Sequence, residues 1–266
     1  MNTDRPYERL EVRRDRDLLW VTLNDPDRAN ALSPALMEEL TSLYRSPLRS
    51  EGIRAVILSG AGKNFSAGAD LEHLRSLLDA SEDENLRDSL RMRDLFEAVL
   101  RQDALTIALV QGSCVAGGCG LATAHDFVIS AEDARYLYSE VRIGFVAALV
   151  ATYLPLRLRG SDIREVLLFP RFMEARQALE IGLVNRVCPA EDLRKVGEAL
   201  AAEILETASS ESIARTKRLL LDVLGRPLDQ AMLHAAGVNA AARGTADCKH
   251  GIATFLETKK PPRWRD

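Results

Sequence analysis

Short apolar runs alternate with amphipathic stretches through the first part of the chain. Leu10 to Arg13 and Leu18 to Leu23 are apolar-rich and are separated by a charged Asp-Arg-Asp segment, which predicts a β-hairpin. The segment SPALMEELTSLY follows, with Ser33 as a candidate N-cap and Pro34 at the first helical position. Its apolar residues recur at helical spacing. The pattern therefore begins with two strands and a helix.

The same order of elements returns further along the chain. IRAVILSG predicts a buried strand that ends at Gly60, and the polar segment DASEDENLRDS leads into a second amphipathic helix through Leu95 and Phe96. TIALVQG, DFVIS and ARYLYSE predict three more strands, and glycine-rich turns follow the strands. This order predicts an α/β fold of stacked ββα units rather than a doubly wound sheet.

The pattern changes to nearly continuous helix from Glu191 onward. Apolar residues at helical spacing give one of these helices a face that it could not hide from water alone: Leu219, Leu220, Val223 and Leu224. We therefore expect the helices to pack on the core or on neighbouring subunits. The predicted organisation is a core over residues 1–199 and a C-terminal helical region over residues 200–266.

The composition excludes several classes of function. The chain of 266 residues is 47% hydrophobic and 28% charged, with a net charge of −4, so no basic field favours nucleic acid or a membrane surface. Its four cysteines form no CxxC pair and have no zinc-like spacing, which predicts reduced thiols and no metal site. There is no signal-peptide pattern and no apolar run of the ~20 residues that a membrane span needs. We expect a soluble, cytoplasmic protein.

Two stretches of small residues stand out, FSAGAD at 65–70 and SCVAGGCGLATAHD at 113–126. Glycine costs roughly 0.5–1 kcal/mol relative to alanine inside a strand or helix, so four glycines within nine positions need a reason: Gly112, Gly117, Gly118 and Gly120. Tight packing between a strand and a helix is one explanation. The spacing fits neither a dinucleotide loop nor a P-loop. Two such stretches together favour a pair of backbone N–H donors, an oxyanion hole.

Successive blocks of the sequence resemble the enoyl-CoA hydratase/isomerase (crotonase) family. The blocks are KNFSAGADL, VQGSCVAGGCGLATAHDFVIS, YSEVRIGF and ARQALEIGLVNRVCP, and they occur in the family's order. The resemblance implies a crotonase-like spiral of ββα units with a C-terminal helical trimerisation region, as a homotrimer or homohexamer. It also implies an acyl-CoA substrate and no cofactor, since coenzyme A is part of the substrate.

The resemblance assigns roles to particular residues. The thioester oxygen would be held by the N–H groups of Ala67 and Gly117. Thr258 occupies the position of a CoA-contacting lysine, so that role has passed to Lys259 or has been lost. Asp70 also has a simpler interpretation as the N-cap of a helix that begins at Leu71. The implied coenzyme A contacts are Arg28, Ala29, Leu32, Ala69, Asp70, Leu71, Phe255 and Lys259, with Phe255 reaching the coenzyme A of a neighbouring subunit.

One departure from the family pattern bears on the chemistry. Hydratases of the family use two glutamates; Glu140 in YSEVRIG supplies one, and Gly120 replaces the other. We expect an enoyl-CoA hydratase that adds water across the 2,3 double bond with Glu140 alone. A Δ3,Δ2-enoyl-CoA isomerase with Glu140 as sole proton shuttle, or a non-catalytic acyl-CoA binding protein, are the alternatives. The GFVAALVATYLPLRL segment replaces a glycine-rich turn of the family, so the acyl pocket has its own shape.

Three further residues near these stretches are predicted to be structural. His125 has no serine nucleophile placed to use it, so buried hydrogen bonding is the expected role. Cys119 has no partner base and is expected to be a small core thiol. His73, one helical turn beyond Asp70, is expected at the surface.

Overall fold

The computed structural model describes residues 7–265 and shows an α/β fold built from strand–strand–helix units. The first unit is the predicted hairpin, β1 (Leu10–Asp15) and β2 (Leu18–Leu23), followed by α1 (Pro34–Arg45). Ser33 caps α1 as predicted, because its hydroxyl oxygen accepts a hydrogen bond from the N–H of Leu36. The later elements are β3 (Ala55–Gly60), α2 (Leu71–Ser76), α3 (Glu82–Arg101), β4 (Leu105–Val110), β5 (Ser113–Val115), α4 (Gly117–Thr123), β6 (Phe127–Ala131), β7 (Arg135–Leu137), α5 (Ala148–Tyr153), α6 (Gly160–Leu168), β8 (Met173–Glu174), α7 (Ala175–Glu180), β9 (Arg186–Cys188), α8 (Leu193–Thr207), α9 (Ser210–Asp222), α10 (Leu228–Arg243) and α11 (Ala246–Thr258).

Two sheets organise the core. The main sheet has the strand order β1-β2-β3-β4-β6-β9, in which β1 is antiparallel to β2 and every later pair is parallel. Every residue of β4 is buried, as expected for a parallel strand covered on both faces. The second sheet, β5-β7-β8, joins the loop after β3 through a bridge between Ser66 and Cys114. This bridge brings the two stretches of small residues together.

The C-terminal helices differ in how they are packed. Helix α8 buries one face against β4 and β6, where a Cβ atom at Gly197 would lie 2.7 Å from Cδ2 of Leu109. This helix runs across the predicted division at 199/200, so the helical region begins within the packing of the core. Helices α10 and α11 are described in full, and none of their residues is buried. Within residues 7–265, no helix has both the length and the apolarity to cross a bilayer.

Candidate active site

The first stretch of small residues places three consecutive backbone N–H groups in different surroundings. The N–H of Ala67 donates to the carbonyl oxygen of Ala29 at 2.9 Å. The N–H of Gly68 donates to the hydroxyl oxygen of Ser66 at 3.2 Å. Within residues 7–265 the N–H of Ala69 has no acceptor. The assignment of Ala67 as an oxyanion donor is therefore wrong, because its amide is already bonded, and Ala69 supplies the free donor of this stretch.

The second stretch presents a free amide at the start of α4. Ala116 precedes the helix with φ 47° and ψ −119°, a backbone conformation that costs a non-glycine residue of order 1–3 kcal/mol. Its own N–H donates to the carbonyl oxygen of Leu137 at 2.7 Å, and its carbonyl accepts from the N–H of Gly120. The N–H of Gly117, at the first helical position, has no acceptor among the described residues. Gly117 remains a candidate donor.

The two stretches lie in direct contact, which explains why positions 68 and 118 are glycine. A Cβ atom at Gly68 would lie 2.6 Å from the carbonyl oxygen of Val115 and 3.2 Å from the nitrogen of Gly117. A Cβ atom at Gly118 would lie 2.7 Å from the carbonyl oxygen of Ser66. The free amides of Ala69 and Gly117 therefore belong to adjoining segments. These two amides are the candidate donors of an oxyanion hole.

Glu140 lies in a short 3-10 turn, Glu140–Ile143, that follows β7. Its side chain is buried, at 9% exposure, and its Oε2 atom has no hydrogen-bond partner in the described chain. Burial raises the pKa of this carboxyl group, and hydrogen bonds from the backbone of Glu140 and Ser139 oppose the shift. A buried carboxyl group with a free oxygen and a raised pKa is suited to taking up and returning a proton.

The raised pKa predicts a pH-dependent cost to stability. Below about pH 4.3, the usual pKa of glutamate, Glu140 is protonated in both the folded and the unfolded chain. As the pH rises through the raised folded-state pKa, the folded chain must bury a charge, so its stability falls relative to Glu140→Gln. Urea unfolding of both proteins between pH 4 and pH 8 measures this difference. A difference that stays constant over this range would contradict the raised pKa.

Apolar side chains surround Gly120, the position at which the family resemblance implies a second glutamate. A Cβ atom at Gly120 would lie 2.7 Å from Cζ of Phe96 and 2.9 Å from Cγ2 of Val150. The hydroxyl of Tyr153 donates to the carbonyl oxygen of Gly120 at 2.9 Å, and its ring packs edge-on against Phe96 with centroids 5.9 Å apart. There is no room for a second carboxylate at Gly120 in this packing.

Three of the residues expected to contact coenzyme A lie in or beside the first stretch of small residues. Arg28 is half exposed, and its guanidinium bonds Asp70 at 3.0 Å and Glu72 at 2.8 Å. Asp70 also caps α2, as predicted, by accepting hydrogen bonds from the N–H groups of Glu72 and His73. Ala29 has a left-handed backbone, with φ 50°, and its carbonyl oxygen holds the amide of Ala67.

The remaining expected contacts are divided between the core and the surface. Leu32 is buried, with its Cδ1 3.3 Å from the position of a Cβ at Gly117, so it packs against the start of α4. Leu71 is 80% exposed at the start of α2. Phe255 is 52% exposed on α11, and Lys259 follows that helix in a left-handed conformation. Their contacts with coenzyme A stay predictions.

Structural contacts account for two histidines, His125 and His73, and for Cys119. His125 is buried, with Nδ1 2.8 Å from the carbonyl oxygen of Leu121 and Nε2 2.7 Å from the hydroxyl of Tyr44, as predicted. The thiol of Cys119 donates to the carbonyl oxygen of Cys114 in the core, also as predicted. His73 is partly buried rather than at the open surface, because Nε2 pairs with Asp88 at 2.6 Å and joins α2 to α3.

The family model described as Enoyl-CoA hydratase/isomerase matches residues 13–266. The chain therefore belongs to the enoyl-CoA hydratase/isomerase family. A crystal structure of an enoyl-CoA hydratase from Mycobacterium smegmatis superposes with a TM-score of 0.87 at 30% identity, over 96% of this chain and 98% of that one. The predicted α/β crotonase-like fold is confirmed.

The relatives carry names of more than one activity. A Thermus thermophilus protein named "Putative enoyl-CoA hydratase" is 44% identical over 248 residues, which are 92% of this chain and 96% of the relative. The human mitochondrial Delta(3,5)-Delta(2,4)-dienoyl-CoA isomerase is 31% identical over 97% of this chain and 82% of its own length. Family membership thus places the chain among enzymes that act on acyl-CoA thioesters.

Proposed function

We propose that this protein is an enoyl-CoA hydratase, a lyase that adds water across the 2,3 double bond of an enoyl-CoA. The observation that carries the proposal is the pair of unbonded amides, at Ala69 and Gly117, in adjoining segments. The chain also has a buried carboxyl group with a free oxygen, Glu140, and we propose that it faces the same substrate. Two backbone N–H groups aimed at one oxygen stabilise the charge that a thioester carbonyl gains when its Cβ is attacked. The proposal requires no cofactor, because coenzyme A arrives with the substrate.

One carboxylate suffices for a balanced reaction. Glu140 removes a proton from water while the water oxygen bonds to Cβ, and the electron pair of the double bond moves onto the thioester oxygen as an enolate. The N–H groups of Ala69 and Gly117 hold that negative charge. Glu140 then returns the proton to Cα and the carbonyl re-forms. Since one group serves both steps, oxygen and hydrogen add to the same face of the substrate.

A second candidate is a Δ3,Δ2-enoyl-CoA isomerase, which the packing at Gly120 favours. Phe96 and Val150 leave no place for a second carboxylate beside the substrate. Moving a proton between C2 and C4 needs one base and no water, so Glu140 alone would complete that reaction. The N–H groups of Ala69 and Gly117, together called the cradle, would stabilise the same enolate charge.

Incubation with crotonyl-CoA in deuterated water distinguishes these candidates. A hydratase forms 3-hydroxybutyryl-CoA with deuterium at Cα, detected by mass spectrometry. Conversion of 3-enoyl-CoAs without any hydration of crotonyl-CoA would favour the isomerase. If a panel of enoyl-CoAs shows no hydration, no isomerisation and no exchange at Cα, the result would favour a non-catalytic acyl-CoA binding protein.

A substitution at Gly120 tests whether the packing of Phe96 and Val150 excludes a glutamate side chain from this position. Gly120→Glu is expected to destabilise the fold by about 3 kcal/mol or more, because even its Cβ would overlap Phe96 and Val150. The double variant Gly120→Glu/Phe96→Ala is expected to recover much of that loss. Urea unfolding measures both, with Gly160→Glu as the control, since only the flexible guanidinium of Arg164 approaches that position, at 3.5 Å. A Gly120→Glu variant as stable as the control would contradict the packing.

We also propose a homotrimer or homohexamer. Helices α10 and α11 expose apolar side chains that a single subunit leaves in water: Leu228, Met232, Leu233, Ile252, Phe255 and Leu256. Burying such faces between subunits is a strong source of association free energy. Sedimentation equilibrium is expected to give three or six times the subunit mass. A monomer at micromolar concentration would contradict the proposal.

A further inference from the structure

The residue before Gly117 has a backbone conformation that favours glycine. Ala116 has φ 47° and ψ −119°, which is close to the first central position of a type II′ turn, where glycine is the usual residue. Two hydrogen bonds hold Ala116 in this conformation. Its N–H donates to the carbonyl oxygen of Leu137 on β7 at 2.7 Å, and its carbonyl oxygen accepts from the N–H of Gly120 on α4 at 3.1 Å. The surrounding structure therefore maintains a strained residue directly before a proposed donor.

The direction of the Gly117 N–H depends on this strained residue. The carbonyl group of Ala116 and the N–H of Gly117 belong to one trans peptide, so they point in opposite directions. Because the hydrogen bond from Gly120 holds that carbonyl along α4, the N–H of Gly117 points away from the body of the helix. The torsion ψ of Ala116 turns this peptide, so a change in ψ would turn the donor with it.

The methyl group of Ala116 restricts that torsion and lies against the first stretch of small residues. For an L-residue with positive φ the favoured ψ is about +30 to +60°, and reaching it from −119° would turn the peptide and break the bond from Gly120. Alanine therefore has no nearby alternative, whereas glycine has a wide range of ψ. The Cβ atom of Ala116 also lies 3.1 Å from the position of a Cβ at Gly68, the residue before Ala69, so the methyl group packs between the two donors' segments.

We propose that Ala116 is a positioning residue, whose strained backbone and methyl group hold the Gly117 N–H in the direction that joins it with the N–H of Ala69 on one oxygen. Glycine at this position would remove the strain but would let the peptide turn. Left-handed backbone is concentrated in this part of the chain. Among residues 7–265, five non-glycine residues have a left-handed φ, and three of them belong to the two stretches or bond to them: Ala29, Asn30 and Ala116. This inference rests on the proposed function, because it takes Ala69 and Gly117 as the donors.

Ala116→Gly is expected to make the protein more stable and less active. Its melting temperature is expected to rise by about 2–4 °C, because glycine takes this conformation without strain. Its kcat for an enoyl-CoA is expected to fall about tenfold with KM nearly unchanged, because a donor that turns loses most where the oxygen carries most charge, in the transition state. A measurement independent of turnover is ¹⁵N relaxation on protein labelled with ¹⁵N-glycine. The order parameter of the Gly117 amide is expected to fall from about 0.85 toward 0.6.

The matched control is Arg16→Gly. Arg16 is exposed, begins the two-residue turn between β1 and β2, and has φ 55°, and of the two turn residues it alone has positive φ, as in a type II′ turn. Arg16→Gly is expected to gain stability in the same way but to leave kcat and the order parameter of the Gly117 amide unchanged. Ala116→Ser keeps a Cβ atom, so it is expected to restore most of the kcat that Ala116→Gly loses.

Two results for Ala116→Gly would overturn the inference. A higher melting temperature with unchanged kcat and an unchanged order parameter would show strain without positioning. A melting temperature below that of the wild type, or a failure to fold, would show that Ala116 is not strained. If the order parameter falls while the wild type turns over no enoyl-CoA, Ala116 positions the amide and the proposed reaction fails.

Discussion

Replacing Glu140 with Gln is expected to lower turnover of enoyl-CoA by about 10⁴-fold, at the upper end of the range for a general acid–base group. The size of the effect follows from the packing at Gly120, where Phe96 and Val150 leave no second carboxylate to take over the proton. Glutamine keeps the shape of the side chain, and the amides of Ala69 and Gly117 are untouched. Acyl-CoA binding is therefore expected to remain close to that of the wild type.

Turnover and acyl-CoA binding of the Glu140→Gln variant are measured on the same preparation, by steady-state kinetics and by calorimetry. The matched control is Glu132→Gln, an exposed glutamate between β6 and β7, which is expected to leave both turnover and binding unchanged. A Glu140→Gln variant with near wild-type turnover would remove Glu140 from the mechanism. Loss of binding together with turnover would indicate a structural role instead.

Gly68→Ala is expected to lower turnover by about 10²–10³-fold, comparable to the loss of one oxyanion donor. Gly68 has φ +85°, and an added Cβ would lie 2.6 Å from the carbonyl oxygen of Val115 and 3.2 Å from the nitrogen of Gly117. Since these contacts are with backbone, the methyl group must push the two cradle segments apart. The amides of Ala69 and Gly117 would then no longer reach one oxygen.

Gly225→Ala provides the control for backbone strain. Gly225 has a similar φ of +74°, but an added Cβ there would have nothing within 4 Å. Both variants therefore carry the cost of a left-handed alanine, about 1–2 kcal/mol, and only Gly68→Ala disturbs the cradle. Comparing kcat and the free energy of unfolding for the two variants isolates the effect on the site. Equal kcat values would contradict the assigned role of the contact.

Much of the fold could be predicted because local signals and tertiary packing agree. The sequences of β3 and β4 are mostly apolar on both faces, which predicts buried strands. Ser33 and Pro34 mark the start of α1 by their capping chemistry. Asp70 is likewise an N-cap by local chemistry alone. The Glu140 position came from the family resemblance, and its burial and free oxygen are properties that only the folded chain has.

The choice of oxyanion donor could not be made from the sequence. Ala67 and Ala69 are the same residue type on either side of Gly68, and what separates them is an acceptor at Ala29, from a distant part of the chain. The one local signal was Gly68 itself, because glycine readily takes the left-handed backbone that the chain has just before Ala69. The apolar packing at Gly120 also comes from side chains on α3 and α5. These helices are distant in the sequence, so the residues around Gly120 do not predict it.

Infrared difference spectroscopy of an enoyl-CoA, isotopically labelled at the thioester carbonyl and bound to the inactive Glu140→Gln variant, asks directly whether two peptide hydrogens polarise that oxygen. The carbonyl stretch is expected to move to lower frequency than in free substrate, and Gly68→Ala in the same background is expected to abolish most of that shift. A carbonyl band at its solution frequency in the bound complex would contradict an oxyanion hole at Ala69 and Gly117.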